Sequence, residues 1–501
     1  MTRVLVLTAD VLRPQMAGPA MRAWHIADHL AAEHDVRLIT SSPYCEITSD
    51  KFVIAAAGPE ELAEAEAWSE VMVLQGYVTY HHPVLATSQK IIVFDVYDPL
   101  HLETLALTKG ATGPVRDNHV RLSVETLNRQ LQRADFLICA SERQRDLFLG
   151  QLCALGRANA LTYDHDPTLR SLIDVVPFGL PDEAPEHNAP ALRGVVPGIG
   201  PDDDVLVWAG GVYDWFDPLT LVRAVARLKE QRPSVRLYFM GMQHPNPDVP
   251  PMQMAIRARA LAEELGLTGK HVFFNDGWVE YGQRQNYLME ATLGVTMHFD
   301  SAETRFAFRT RALDYLWAGL PVVTTEGDWF AELVAHEGLG LTVLPEDPAA
   351  LADALALLLS DKERMDACRA RAAEVRTRLR WSVVLEPLAA FCRAPQRAPD
   401  LVRPLTPFTP PAPFTPPAPL TPPAPAEPVA PPSPPGPEPA PVAPPGPSAA
   451  PAVSGTPGFV ELVRHHYELV RHHYREGGLA QVAKRAALKA QRMARGNNRP
   501  G

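Results

Sequence analysis

Between residues 303 and 328 the sequence runs ETRFAFRTRALDYLWAGLPVVTTEGD. It gathers three guanidinium groups (Arg305, Arg309, Arg311) and two carboxylates (Glu303, Asp314) into about three helical turns. A further carboxylate, Asp328, closes the stretch. Gly319 is placed to end a helix, and Leu320-Pro321-Val322-Val323 to begin a short buried strand. A guanidinium can take two phosphate oxygens at once. A basic helix start beside a parallel strand therefore suits a phosphate-bearing ligand.

Such a cluster needs a scaffold, and the flanking sequence supplies one. Val4–Leu7, Val36–Ile39, Val71–Leu74, Ile91–Phe94 and Phe136–Cys139 are short apolar runs that predict buried strands. Helical spacing over Ala20–Ala32 and a helix opening at Ser141, with Gln144 three residues on, separate some of them. Val175–Gly179 predicts a last strand and turn, and the Pro- and Gly-rich stretch from Pro181 to Gly200 a junction. The alternation restarts at Val205–Trp208 and continues through strands at Arg236–Gly241, Val272–Phe274 and Gly294–Met297. Helices are expected from about Pro218 to Glu230, Met254 to Leu265, Arg284 to Glu290, Ala349 to Leu359 and Ala367 to Arg378. The fold class is α/β, with two doubly wound domains in tandem, 1–185 and 200–395.

Composition bounds the rest. The chain has 501 residues and a net charge of -11, unevenly spread. Residues 458–501 carry nine basic and three acidic groups (+6), and residues 404–457 only Glu427 and Glu438 (-2), which leaves -15 on residues 1–403. An acidic body argues against nucleic acid as a partner. About half of the 51 prolines fall in 404–457, so 400–457 is expected to be a disordered spacer. The heptad ELVRHHY follows twice, Glu461–Tyr467 and Glu468–Tyr474, more readily a surface helix than a metal site. Within the basic helical tail 458–501, residues 479–495 form a basic amphipathic stretch suited to an anionic membrane surface or to plain solvent. Five scattered cysteines fit a reducing compartment, and no apolar run reaches the roughly 18 residues of a membrane span. A cytoplasmic protein, peripheral at the inner face of the membrane through its tail, is the expectation.

Val175–Gly179 (VVPFG), Trp208–Pro218 (WAGGVYDWFDP), Gly277-Trp278-Val279 and the 303–323 stretch resemble the retaining GT-B glycosyltransferases of group-1 type (family 4), closest to the cell-surface polysaccharide and O-antigen branch. The resemblance covers about residues 1–395. It implies two Rossmann-like domains facing a cleft, and transfer of a sugar from a nucleotide donor to a glycan or lipid-linked acceptor. It implies no cofactor and no metal. Asp314 stands where the family binds the donor ribose, since its two oxygens can accept from a vicinal diol. Glu303 is the expected sugar contact, displaced by three residues from the family position at Phe306. Gly18, with Arg22 behind it, matches the first-domain loop near the donor phosphate. Asp98 and His101 are the cleft candidates after the fourth predicted strand, with Glu303 completing the catalytic set. His298 is expected to point into the cleft, and Asp328 either to touch sugar hydroxyls or to cap a helix.

The family commonly places an Arg and a Lys near Gly210 and Gly211. Here that loop holds no basic residue, so Arg305, Arg309 and Arg311 are expected to clamp the diphosphate, with Gly210 and Gly211 admitting it to the backbone. Other readings on the same architecture are a nucleotide-sugar epimerase, a phosphorylase, or a non-catalytic scaffold. A phosphorylase would need a lysine for pyridoxal phosphate, and the second domain has only Lys229, Lys270 and Lys362.

Overall fold

A computed structural model describes residues 1–110 and 113–402. The expectations for the proline-rich spacer beyond residue 402, the histidine heptads and the basic stretch 479–495 lie outside the described residues; residues 400–402, expected in the spacer, end a short helix, Pro399–Val402.

Apolar runs buried on both faces make the strands, as parallel sheets require. The first sheet comprises β1 (Arg3–Thr8), β2 (Asp35–Thr40), β3 (Val53–Ala56), β4 (Val71–Gln75), β5 (Ile91–Asp95), β6 (Phe136–Cys139) and β7 (Ile173–Val175). The second comprises β8 (Asp204–Gly211), β9 (Val235–Gly241), β10 (Val272–Phe274), β11 (Leu293–Thr296), β12 (Val322–Thr325) and β13 (Gly340–Val343). Every strand pair in both is parallel. The orders are 3-2-1-4-5-6-7 and 10-9-8-11-12-13, so each sheet reverses direction beside its own first strand. That reversal is the Rossmann-like crevice where open α/β sheets take ligands. The fold is GT-B.

Most predicted strands and helices form within one or two residues of the sequence reading. Several elements escape it, among them β3, a half-exposed edge strand with no clear alternation, β13, and the helices Pro59–Trp68, Leu100–Leu107, Ala160–His165 and Glu386–Arg393. The strand expected over Val175–Gly179 ends at Val175, and Val176–Gly179 continues without strand pairing. Ser141 caps its helix, accepting from Gln144 N, but the Gln144 side chain returns to Ala140 N at 2.7 Å rather than to Ser141.

The largest departure is in the arginine-rich stretch 303–328. It is not a run of helical turns. A five-residue helix (Ala302–Phe306) stops at Ala307, whose ψ of 154° is extended. A single tight turn (Thr310–Ala312) and a second short helix (Leu313–Trp317) follow. Tyr315 pins this broken segment to the second sheet. A Cβ on Gly294 would lie 2.4 Å from the Tyr315 ring, so only glycine leaves room for that ring over β11. The Tyr315 hydroxyl accepts from Ala209 N (2.9 Å) and donates to Val295 O (2.8 Å).

The end of the described chain returns to the first sheet. Leu180 and Arg380 pair as an isolated bridge, Trp381 packs on Gly179, Phe391 stacks on Phe136 at 4.7 Å, and Thr2 donates to Cys392 O. Arg157 then grips Asp400 with a buried two-bond pair (2.6 and 3.2 Å). Residues from Trp381 on thus pack with the first sheet; the sequence reading placed 381–395 of them in the second domain and 400–402 in the spacer. Both sheets belong to one compact unit, Met1–Leu405.

Candidate functional site

Between the two sheets lies a cavity of about 430 Å3. Its lining comes from the carboxyl ends of strands: Asp10 after β1, Gln75 closing β4, Asp95 and Asp98 at β5, Gly211 and Tyr213 at β8, and Trp278 beyond β10. The broken segment Ala307–Ala312 supplies the remaining side.

The first-sheet wall is built on a buried ion pair. Arg22, wholly buried in the helix Gly18–Leu30, meets Asp95 through Nε–Oδ2 (2.6 Å) and Nη2–Oδ1 (3.0 Å). Its guanidinium also donates to Val176 O and Pro177 O and lies 4.8 Å over the Tyr97 ring. Such an arrangement meets the condition under which a buried pair holds together, with most donors satisfied. It locks the loop after β5 to the helix after β1 and so sets the position of Asp98. Asp98 lines the cavity, half-buried, with its pKa pushed up to about 7 by burial and by the charges of Asp95 and Asp10; the Tyr97 hydroxyl pulls the other way. Asp10 is raised to about 6, chiefly by burial. Glu103 is held well above the ordinary carboxyl range by burial, then by Asp98 and Glu303. His101 does not line the cavity; burial lowers its pKa.

The second-sheet wall carries arginines and aromatic rings. Arg309, 7 % exposed, is tied to Glu303 by two bonds (2.8 and 2.9 Å). Its Nε lies 3.5 Å from Asp328. Burial opposes its charge, but Glu303 and Asp328 outweigh that and hold its pKa up. Asp328 accepts from Ala331 N at 2.7 Å as the N-cap of Trp329–Glu337, and its other oxygen is 3.1 Å from His298 Nε2. His298 is fully buried, with Nδ1 at Thr325 Oγ1 (3.0 Å), so it faces Asp328 and not the cavity as expected. Asp314 has both oxygens engaged, one by Arg284 (3.1 Å) and one by Arg311 (3.3 Å). Arg311 also reaches across to Met16 O (2.9 Å) and keeps its Nε without a hydrogen-bond partner.

Of the residues singled out from sequence, Gly18, Asp98, Gly211, Arg309 and Arg311 line the cavity, whereas Gly210, His101, His298, Glu303, Arg305, Asp314 and Asp328 do not. Arg305 is exposed, 6.0 Å from the Phe306 ring, because the break at Ala307 turns it away from Arg309. Glu303, Asp314 and Asp328 act on the cavity through the arginines they hold. The two glycines after β8 also differ from expectation. What comes close to Gly210, at φ +88°, is the stem of Arg311, whose Cγ would be 2.6 Å from an added Cβ. At Gly211 it is the Trp278 ring, at 2.9 Å. Trp278 in turn carries the Arg311 guanidinium at 5.6 Å, and Tyr213 stacks on Trp215 at 4.9 Å.

Sequence reading missed Asp10, Gln75 and Glu103. The first two sit just past β1 and at the end of β4, the strands flanking the reversal point, and that position alone marks them. Glu103 lies two residues beyond His101 and faces the cavity where His101 does not.

Residues 203–361 match the family model described as Glycosyl transferases group 1. That segment, about a third of the chain, is similar to the glycosyl transferases of group 1. It spans the second sheet, both arginines and Trp278. Among solved structures, the chain resembles sucrose-phosphate synthase from Thermosynechococcus elongatus (TM-score 0.55, 16% identity, 78% of this chain and 98% of that chain). It likewise resembles WaaG, a glycosyltransferase involved in lipopolysaccharide biosynthesis (TM-score 0.53, 18% identity, 78% and 100%). A third is Anabaena HepE, solved with UDP-glucose (TM-score 0.54, 14% identity, 79% and 100%). At such identities the likeness establishes the fold. A comparison with curated proteins gave no match. No helix among the described residues is long and apolar enough to cross a membrane.

Proposed function

We propose that the protein transfers a sugar from a nucleoside-diphosphate donor to a glycan or lipid-linked acceptor, with retention, as in the family 4 polysaccharide branch. The observation that carries this is the cavity at the carboxyl ends of both sheets, with Arg309 and Arg311 at its second-sheet side. These guanidiniums are the cations able to meet a departing diphosphate there. Arg311 suits this best, since its side chain keeps 18 % exposure against 5 % for Arg309. The bond between the sugar carbon and the diphosphate oxygen breaks as an acceptor hydroxyl oxygen bonds to the same face, and the hydroxyl proton passes to the leaving phosphate. Glu303 and Asp314 act as positioning residues that hold Arg309 and Arg311. The binding of UDP-glucose by HepE, which shares this fold, supports a nucleotide-sugar donor by analogy.

Thermal-shift and calorimetric titration of the full chain with uridine, guanosine, adenosine and thymidine diphosphates tests the reading. At least one should raise the melting temperature, and Arg311→Ala should weaken it. No shift with any of the four would overturn the proposal. Peripheral membrane contact through residues 479–495 belongs to the same proposal. Flotation with anionic liposomes, with and without residues 458–501, tests it, and equal flotation would remove it.

A further inference from the structure

The first-sheet wall of the cavity gathers three carboxylates, Asp10, Asp98 and Glu103, beside the polar side chains of Thr8, Tyr77, His81, Tyr97 and Gln130. Asp10, Asp98 and Glu103 have no ion-pair partner among the described residues. Gln75 stands behind them, 3 % exposed and lining the same cavity. Its amide donates to Asp95 at 3.0 Å, which turns its Oε1 away with no hydrogen bond to receive. A buried carbonyl oxygen left unpaired costs about 1–3 kcal/mol, so a donor is wanted at that point. The cations nearby are committed elsewhere: Arg22 to Asp95, Arg309 to Glu303, Arg311 to Asp314.

Three carboxylates in one cavity repel one another, and burial leaves them short of water. Their raised pKa values express the same strain. Hydroxyls alone would satisfy the acceptors but leave the charge uncompensated. No three acidic or imidazole groups among the described residues converge closely enough to hold a metal ion. The complementary group is a hydrogen-bonding organic cation.

We infer that the first-sheet wall is an ammonium subsite, which holds a protonated primary amine of the sugar substrate between Asp98, Glu103 and the Gln75 side-chain oxygen. An ammonium has three donors and one charge, which matches an acceptor set of this composition. This deepens the proposed sugar transfer by naming the substrate class as amino sugars with a free amine, and it rests on that reading only for the role of the amine, not for its binding.

The test is calorimetric titration of the full chain at pH 7, without nucleotide, using D-glucosamine, D-glucose and N-acetyl-D-glucosamine. Glucosamine should bind at least about tenfold more tightly than either neutral sugar. In Asp98→Asn combined with Glu103→Gln that preference should vanish. Should the double variant melt without a cooperative transition, Glu103→Gln alone carries the test, with a partial loss expected. Equal affinity for the three sugars overturns the inference, as does a preference that persists in the variant. Glucosamine binding without any nucleotide binding would leave the subsite standing and remove the transferase reading; the converse would do the opposite.

Discussion

The two walls of the cavity are built from the same kinds of residue and end in opposite states. On the second-sheet side each arginine has a carboxylate of its own: Arg309 with Glu303, Arg311 with Asp314, and His298 with Asp328 behind them. On the first-sheet side Asp95 is paired with Arg22, while Asp10, Asp98 and Glu103 make no ion pair among the described residues. Paired charges make a rigid wall at low electrostatic cost; unpaired ones leave a demand that a ligand can meet. The difference fixes the second-sheet arginines in place and leaves the first-sheet carboxylates open to a ligand, with Arg311 bridging the two walls through Met16.

That contrast is open to attack from either side. Arg309→Ala should do the most damage, because Glu303 and Asp328 would remain buried without their guanidinium. A loss of about 3–5 kcal/mol is expected in denaturant unfolding. Unchanged stability would mean that Arg309 is not locked and is free for ligand. Asp314→Ala should cost about 1–3 kcal/mol, since Arg284 is buried beneath it and held otherwise by one hydrogen bond to Tyr281 O (2.7 Å) and by the Tyr281 and Trp317 rings at 3.7 and 4.3 Å. Arg311→Ala should weaken nucleoside-diphosphate binding by about tenfold while leaving the melting temperature nearly unchanged. An equal loss in both would make Arg311 structural.

The unpaired wall can be tested through pH. Asp98 rises from 3.8 to about 7 on folding, so the folded protein holds more protons than the unfolded chain between these values. Its contribution to stability is therefore present below about pH 4 and lost as the pH climbs through 7. Asp98→Asn removes that loss, and at pH 8 it should melt about 2 °C or more above the wild type, with no gain at pH 4. A variant that is less stable at pH 8 would show that Asp98 has a cation partner. The smallest effect is expected at Arg143, which crosses the cleft to Glu332 and to Gly327 O but is only half-buried, against an exposed Glu332. Arg143→Ala should change stability by about 0–1 kcal/mol in high salt or low.

The amino-acid sequence by itself determined where the strands and most helices lie, because uninterrupted apolar runs and helical spacing are local properties that survive in the fold. The alternation from Val4 to Thr325 follows from them, and so does the end of the helix at Gly319. Asp328 as a helix cap was also legible, since capping needs only residues three apart. β3 and Pro59–Trp68 were not, because a half-exposed edge strand carries no periodic apolar signal. The site divided differently. Periodicity says which side chains are buried but not which partner each will meet. Arg309 and Glu303 are near neighbours in sequence, yet the break at Ala307 is what faces one to the other and sends Arg305 outward. Arg284 with Asp314, and His298 with Asp328, meet across about thirty residues of chain. Asp10, Gln75 and Asp98 come from the ends of three strands, and Glu103 from the helix Leu100–Leu107 after the third, and only the sheet order places them side by side. Sequence set the inventory of charges; the tertiary structure decided which were neutralised and which were left facing the cavity.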